Sequence, residues 1–391
     1  MKDETKIVVS GRNPEDNFGI VNPPVYHAST VLYSSLAELQ QAHRDRAEGK
    51  QVVTYGRIGT PTSWSLENAV ADLEGGYRTQ VFPSGLAACS FAIQAFVKSG
   101  DHILVTDSVY NPTRQFCETV LKKFGVQTTY YDPLIGKGIA ELIQDNTTVI
   151  FTESPGSQTF EMQDIPAIAE IAHQHGAVVI MDNTWASPLF YKPFEHGVDV
   201  SIQAGTKYIV GHSDVMIGTV TTTEKHWPAL QAAANQMGQT SGPDDVYLAQ
   251  RGLRTLSVRL KQHMENAIKI AKWLEDRPEV HSVLHPALES HPQHDLWKRD
   301  FLGASGLFSF RLKACSKEAM AAFLDNLELF GMGYSWGGYE SLIIYADPSS
   351  YRTATTWDNS NPLIRVHIGL EDPEDLMADL SAGFEKLAAA S

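Results

Sequence analysis

Ala177-Val178-Val179-Ile180-Met181-Asp182 sets five apolar residues in a row and closes them with a carboxylate. A short continuous apolar run of this kind reads as a strand buried on both faces. Similar runs recur on either side of it: Thr79-Gln80-Val81-Phe82, Ile103-Leu104-Val105, Thr148-Val149-Ile150-Phe151 and Val198-Asp199-Val200-Ser201-Ile202. Helical patterns lie between most of them, as from Ile165 to His175. Buried strands alternating with helices predict an α/β fold with a mostly parallel sheet. Such sheets bind ligands beyond the carboxyl ends of their strands. The residues that follow each strand therefore carry the functional reading.

Three of those strand ends stand out. Phe82 is followed by Pro83-Ser84-Gly85-Leu86-Ala87-Ala88, a small loop entering an Ala-rich helix. Free N–H groups at a helix start suit a phosphate, and Ser84 also reads as an ordinary N-cap. Met181 is followed by Asp182, a carboxylate that is costly to bury unless it is paired. It reads either as a turn cap or as the partner of a cationic ligand atom such as a protonated pyridine nitrogen. One strand–helix–strand step later comes Gln203-Ala204-Gly205-Thr206-Lys207-Tyr208. A surface lysine is the ordinary alternative for Lys207, but a buried one loses basicity and becomes nucleophilic toward carbonyls. The Gly-Thr-Lys order is not that of a nucleotide P-loop, and no G-x-G-x-x-G follows a predicted strand. A phosphate-binding helix start, an aspartate for a pyridinium and a lysine for a carbonyl together fit pyridoxal phosphate (PLP).

Farther out, the chain divides in three. Residues 1–55 show little periodicity and read as an N-terminal arm. Residues 56–250 form the large PLP-binding domain. Residues 251–391 open on a long helical pattern (Ser257 to Glu275), then show strand-like stretches such as Gly306-Leu307-Phe308-Ser309-Phe310, a smaller α+β domain. The formal net charge of -15 argues against nucleic acid or an anionic membrane as partner. No apolar run reaches the roughly 18 residues of a membrane span. The charged first residues lack the apolar core of a signal peptide. Three scattered cysteines fit a reducing compartment, so a cytoplasmic protein is expected. His173 and His175 sit on different helix faces, and His291 and His294 have no acidic or cysteine neighbours in a cluster. No metal is expected.

Over nearly its whole length the sequence resembles the Cys/Met-metabolism PLP-dependent enzymes, which have fold type I. Matching stretches include Tyr55-Gly56-Arg57, Pro83 to Ala88, Asp107-Ser108-Val109-Tyr110, Glu153-Ser154-Pro155-Gly156-Ser157, Met181-Asp182-Asn183-Thr184-Trp185 and Thr206 to Asp214. Tyr334-Ser335-Trp336-Gly337-Gly338-Tyr339-Glu340-Ser341 and Ile364-Arg365-Val366-His367-Ile368-Gly369-Leu370-Glu371 narrow the resemblance to the bacterial β-lyase subgroup. The resemblance implies a PLP-dependent transferase-like fold and a carbon–sulfur lyase of methionine biosynthesis and transsulfuration, splitting L-cystathionine at the β carbon. The same fold doing γ chemistry (a cystathionine γ-lyase, γ-synthase or methionine γ-lyase) is the nearest rival. A PLP-binding protein without lyase activity is the other.

The resemblance also implies roles. Lys207 would hold the cofactor and act as the base. Asp182 would pair with the pyridine nitrogen, and Tyr110 would stack on its ring. The amides of Gly85 and Leu86, with the Thr206 hydroxyl, would hold the phosphate. Tyr55 and Arg57 would reach the site of a neighbouring subunit, within a homotetramer built as a dimer of dimers with shared active sites. Arg365 would clamp the α-carboxylate of a small amino-acid substrate, with Ser335, Trp336 and Tyr55 orienting it. Core packing for Tyr110, a surface place for Arg57 and cover of a Gly-rich turn for Trp336 are the plainer alternatives. The chain departs from the wider family in having Ala204 for the usual serine before the lysine. It also has Ser154-Pro155-Gly156-Ser157-Gln158 where Ser-Pro-Thr-Asn-Pro is common. Both agree with the β-lyase subgroup.

Overall fold

The computed structural model describes residues 1–390. The larger sheet has seven strands: β1 (Arg78–Phe82), β2 (His102–Thr106), β3 (Gln127–Tyr131), β4 (Thr147–Glu153), β5 (Val178–Asp182), β6 (Val200–Gln203) and β7 (Gly218–Thr222). Their order is β1-β7-β6-β5-β4-β2-β3. Neighbours pair in parallel except at β7, which is antiparallel to both β6 and β1. Six strands therefore end at one edge of the sheet, and β7 begins there.

The continuous apolar runs are explained by burial on both faces. Alternate residues of a strand point to opposite sides. Ile103, Val105, Val149, Phe151 and Ile180 pack on one face with Ala88, Cys89, Ala92 and Ile93 of the helix Gly85–Gln94. Leu104, Ile150, Val179 and Met181 pack on the other with Ile165, Ile168 and Ala172 of the helix Ile165–Gln174. That helix is capped by Asp164, whose carboxylate accepts from Ala167 N–H.

The second sheet contains β8 (Val280–Leu284), β9 (Leu307–Leu312), β10 (Gly331–Met332), β11 (Leu342–Ala346) and β12 (Leu363–His367), in the order β10-β11-β12-β9-β8. The helix Leu256–Glu275 joins the two cores. Leu256 and Leu260 belong to the large one, whereas Ala267, Ile270, Ala271 and Leu274 belong to the one under the second sheet. Phe301, Ala304 and Leu307 also return to the large core. Residue 251 is thus no clean break in packing.

The first 55 residues hold more regular structure than their sequence suggests. Asp3–Val9 and Leu36–Ala47 are helices. The second is set by its cap: Ser35 Oγ accepts from Glu38 N–H, and the Glu38 carboxylate accepts from Ser34. Only Ala42 of it is buried, so it has no apolar stripe to read in sequence. Phe18 and Leu32 are 98% and 89% exposed. Among the described residues no helix is long and apolar enough to cross a membrane.

Candidate active site

Lys207 follows β6 by four residues, at the edge where the strands end. Its Nζ donates to Ser335 Oγ at 2.8 Å and lies 5.1 Å from the centroid of the Trp336 ring. Burial, and then the nearby Arg365 charge, bring the amine down to about 8, against a weaker upward pull from Asp182. A lysine in this state is free amine in about a tenth of the molecules at pH 7 and in half of them near pH 8, far more than an ordinary lysine, as a base or nucleophile needs.

Asp182 closes β5. Its Oδ1 accepts from Thr184 N–H (3.0 Å) and from the Thr184 hydroxyl. Its Oδ2 meets only the Cys89 thiol, at 3.7 Å. One oxygen is thus fixed from behind while the other keeps room for a strong donor. Glu153 ends β4 in register with Asp182 on the adjacent strand. Burial, and then the Asp182 charge, push its carboxyl well above the usual range, and burial raises Asp182 as well. Glu153 Oε2 accepts from Tyr110 N–H at 2.7 Å, which aims Tyr110 across the mouth of the site. The Tyr110 ring remains 43% exposed, an open face against which a planar group can lie. Burial, followed by the acidic groups Cys89, Asp182 and Glu153, raises its phenol, while Arg365 lowers it.

Gly85 and Leu86 begin the helix Gly85–Gln94, whose first N–H groups have no partner within the helix. Ser84 Oγ takes up the third of them, from Ala87, at 3.1 Å. A Cβ on Gly85 would lie 2.6 Å from the Ala204 Cβ, so helix start and lysine loop touch only because residue 85 is glycine. The Thr206 hydroxyl is engaged differently from expectation. It donates to Ile217 O at 3.1 Å and accepts from Ile217 N–H at 2.9 Å. It must turn from that carbonyl to donate elsewhere.

Arg365 lies on β12, and its Nη2 donates to the carbonyls of Gly333 (3.2 Å) and Tyr334 (2.8 Å). Burial lowers it to about 10. The structure thus gathers Lys207, Asp182, Tyr110, Gly85, Arg365, Ser335 and Trp336 about one edge. It does not bring Tyr55 and Arg57 there. They line a separate cavity of about 440 Å³ with Tyr26, His27 and Gln239, and Arg57 Nη1 donates to Asn235 O. Cys89 and Glu153 were not foreseen as neighbours of Asp182. The strand pairing that aligns residues 153 and 182 was the signal for Glu153, and none existed for Cys89.

These residues fit PLP. A pyridinium would find the open Oδ2 of Asp182, a phosphate would find free N–H groups at a helix start, and an aldehyde would find an amine of lowered basicity.

The family model described as Cys/Met metabolism PLP-dependent enzyme matches residues 4–385. The cystathionine beta-lyase MetC of Escherichia coli is 47% identical over 98% of this chain and 98% of its own. A Wolbachia pipientis protein named L-alanine/L-glutamate racemase is 42% identical over 99% of this chain and 98% of its own. The crystal structure of metB from Corynebacterium glutamicum superposes with a TM-score of 0.90 at 33% identity, covering 99% of this chain and 98% of that one.

Proposed function

The chain belongs to the Cys/Met metabolism PLP-dependent enzymes, and from that premise we propose that it cleaves L-cystathionine at the β carbon to homocysteine, pyruvate and ammonia. The observation that carries this reading is Lys207 Nζ at 2.8 Å from Ser335 Oγ, beneath the Trp336 ring. The base thus faces the Ser-Trp-Gly-Gly segment that marks β-lyases in the sequence. PLP supplies an electrophilic aldehyde and a protonated ring that accepts electrons. Asp182 holds the proton on the ring nitrogen. Arg365 binds the substrate α-carboxylate through charge-assisted hydrogen bonds. Lys207, as free amine, takes the Cα proton, and the Cβ–S bond breaks. Lys207 then returns the proton to the leaving sulfur. Water releases the remaining three carbons as pyruvate and ammonia.

Covalent uptake of PLP by the apoprotein reads the Lys207 amine directly. Below about 8 it is protonated and inert, and above that it is free. The rate of uptake is expected to rise about tenfold between pH 7 and pH 9 and then level off. An ordinary lysine, near 10.5, would still be climbing about tenfold per pH unit at pH 9. Stopped-flow absorbance decides between the two curves.

Arg365→Ala is expected to lower kcat/KM for cystathionine about 10–150-fold, the worth of a hydrogen bond to a charged group at about 1.5–3 kcal/mol. Most of the change falls on KM. Steady-state kinetics with equal kcat/KM in variant and parent would place the carboxylate elsewhere.

The separate cavity at Tyr55 and Arg57 supports a second part to the reading: those two side chains serve a neighbouring subunit of a dimer of dimers. In the same reading the protein works in the cytoplasm, with residues 1–55 as arm, 56–250 as large domain and 251–391 as small domain.

The deciding experiment incubates the PLP-loaded protein with L-cystathionine and identifies the products. Pyruvate with homocysteine is the expected pair. 2-Oxobutyrate with cysteine would mean γ chemistry. No keto acid, with D-alanine formed from L-alanine, would mean the activity named for the Wolbachia relative.

A further inference from the structure

The segment from Gly333 to Glu340 joins β10 to β11 and lays Ser335 and Trp336 over Lys207. It has no regular structure of its own, so something else fixes it. Arg365 and His367 are two apart on β12 and project to the same face. Arg365 takes the start of the segment, through the carbonyls of Gly333 and Tyr334. Farther along, Leu370 N–H donates to Tyr339 O and Ser213 Oγ to the Glu340 carboxylate, and His367 holds the turn between Gly337 and Glu340. Gly337 N–H donates to His367 Nε2 at 3.2 Å, and His367 Nδ1 lies 3.1 Å from Glu340 O. A peptide N–H only donates and a carbonyl only accepts. The ring is therefore the neutral tautomer with its proton on Nδ1. Burial holds the imidazole well below the usual histidine range, which agrees with that assignment.

His367 is 1% exposed and touches no group that reacts. Its ring packs against Tyr208, which in turn packs against Trp336 with centroids 5.5 Å apart. Gly337 has φ +88°, and a Cβ there would lie 2.9 Å from the Lys207 Cα. The peptide that His367 holds is thus the one that rests on the backbone of Lys207. Any shift of it moves Ser335 and Trp336 relative to the Lys207 amine.

We propose that His367 is a positioning residue that fixes Ser335 and Trp336 over Lys207 by gripping Gly337 and Glu340 at the two ends of one turn. The inference rests on the β-elimination reading for what Ser335 and Trp336 meet. A histidine that merely filled the core would be replaceable by an aromatic ring of similar size.

The test compares His367→Phe and His367→Gln in the full-length, PLP-loaded enzyme. Phenylalanine keeps the bulk and loses both polar contacts, whereas the glutamine carboxamide reaches the Nε2 position and accepts from Gly337. His367→Phe is expected to lower kcat for cystathionine about a hundredfold, the scale of a misplaced reacting group. Amide hydrogen exchange in residues 333–340 should quicken about tenfold, the scale of one lost hydrogen bond, while β9 and β12 exchange as before. His367→Gln should recover most of both. Should the phenylalanine variant not fold, His367→Asn replaces it, since its amide reaches Glu340 but not Gly337, and the same losses are expected. Unchanged exchange in 333–340, or a glutamine variant as impaired as the phenylalanine one, overturns the proposal. Exchange is read without substrate, so a parent enzyme that does not cleave cystathionine overturns the functional reading alone.

Discussion

Lys207→Ala is expected to lower kcat for cystathionine cleavage by about four orders of magnitude, the upper range for loss of a positioned general base, with PLP still bound without a covalent link. Among the described residues, the one amine or imidazole hydrogen-bonded to Ser335 Oγ is that of Lys207. Lys207 Nζ is 2.8 Å from Ser335 Oγ, and Ser335 has no acidic or imidazole partner of its own that would let it substitute. The tyrosine that faces the site, Tyr110, has its phenol raised by burial, so at neutral pH it holds its proton. Pyruvate formation, followed in a variant whose melting temperature matches the parent, measures the loss. Turnover within tenfold of the parent would remove Lys207 from the reaction.

The largest expected effect on stability lies at Asp107, just beyond β2. Its carboxylate accepts from the N–H groups of Thr353 (3.0 Å), Ala354 (3.1 Å) and Thr355 (2.8 Å), from the Thr355 hydroxyl (2.7 Å) and from Arg114. Both Asp107 and Arg114 are buried. Asp107→Ala leaves the buried Arg114 guanidinium with only the half-exposed Glu118 carboxylate, at 3.4 Å, as counter-charge, and three peptide donors unmet. Breaking a buried pair in this way costs about 3–5 kcal/mol. Urea unfolding should show the loss as an earlier midpoint, and a change under about 1 kcal/mol, the range of an exposed pair, would contradict the account. Burial raises the Asp107 carboxyl, but the Thr353, Thr355 and Ala354 donors lower it further, so the net shift is downward. Its stabilisation is therefore complete above the ordinary carboxylate range and fades as pH falls through the lowered value.

Much of the site was legible because its groups sit where strands end. The run Ala177 to Met181 forecast β5, and Asp182 and Lys207 followed from position and chemistry type. The loop at Gly85, expected to take a phosphate, was read from the helix start that follows it. Other features depend on contacts that no local pattern carries. Glu153 becomes the neighbour of Asp182 only through the pairing of β4 with β5. Asp107 was visible as part of a motif, yet the peptide donors that bind it, at Thr353, Ala354 and Thr355, come from near the other end of the chain. His367 acts on a turn that reaches it from β10. Nor does the sequence pattern of Leu256–Glu275, one uninterrupted helix, tell that its two halves serve two cores.

The site is assembled from two sources. The lysine, the aspartate and the helix start hang from the large sheet, whereas Ser335, Trp336 and Arg365 come from the second. Gly333–Glu340 is thus an irregular stretch clipped to β12 at a few points, free to vary in side chains wherever it does not rest on Lys207. Such an architecture separates the inherited chemistry from the choice of bond to be broken, and lets each diverge at its own pace.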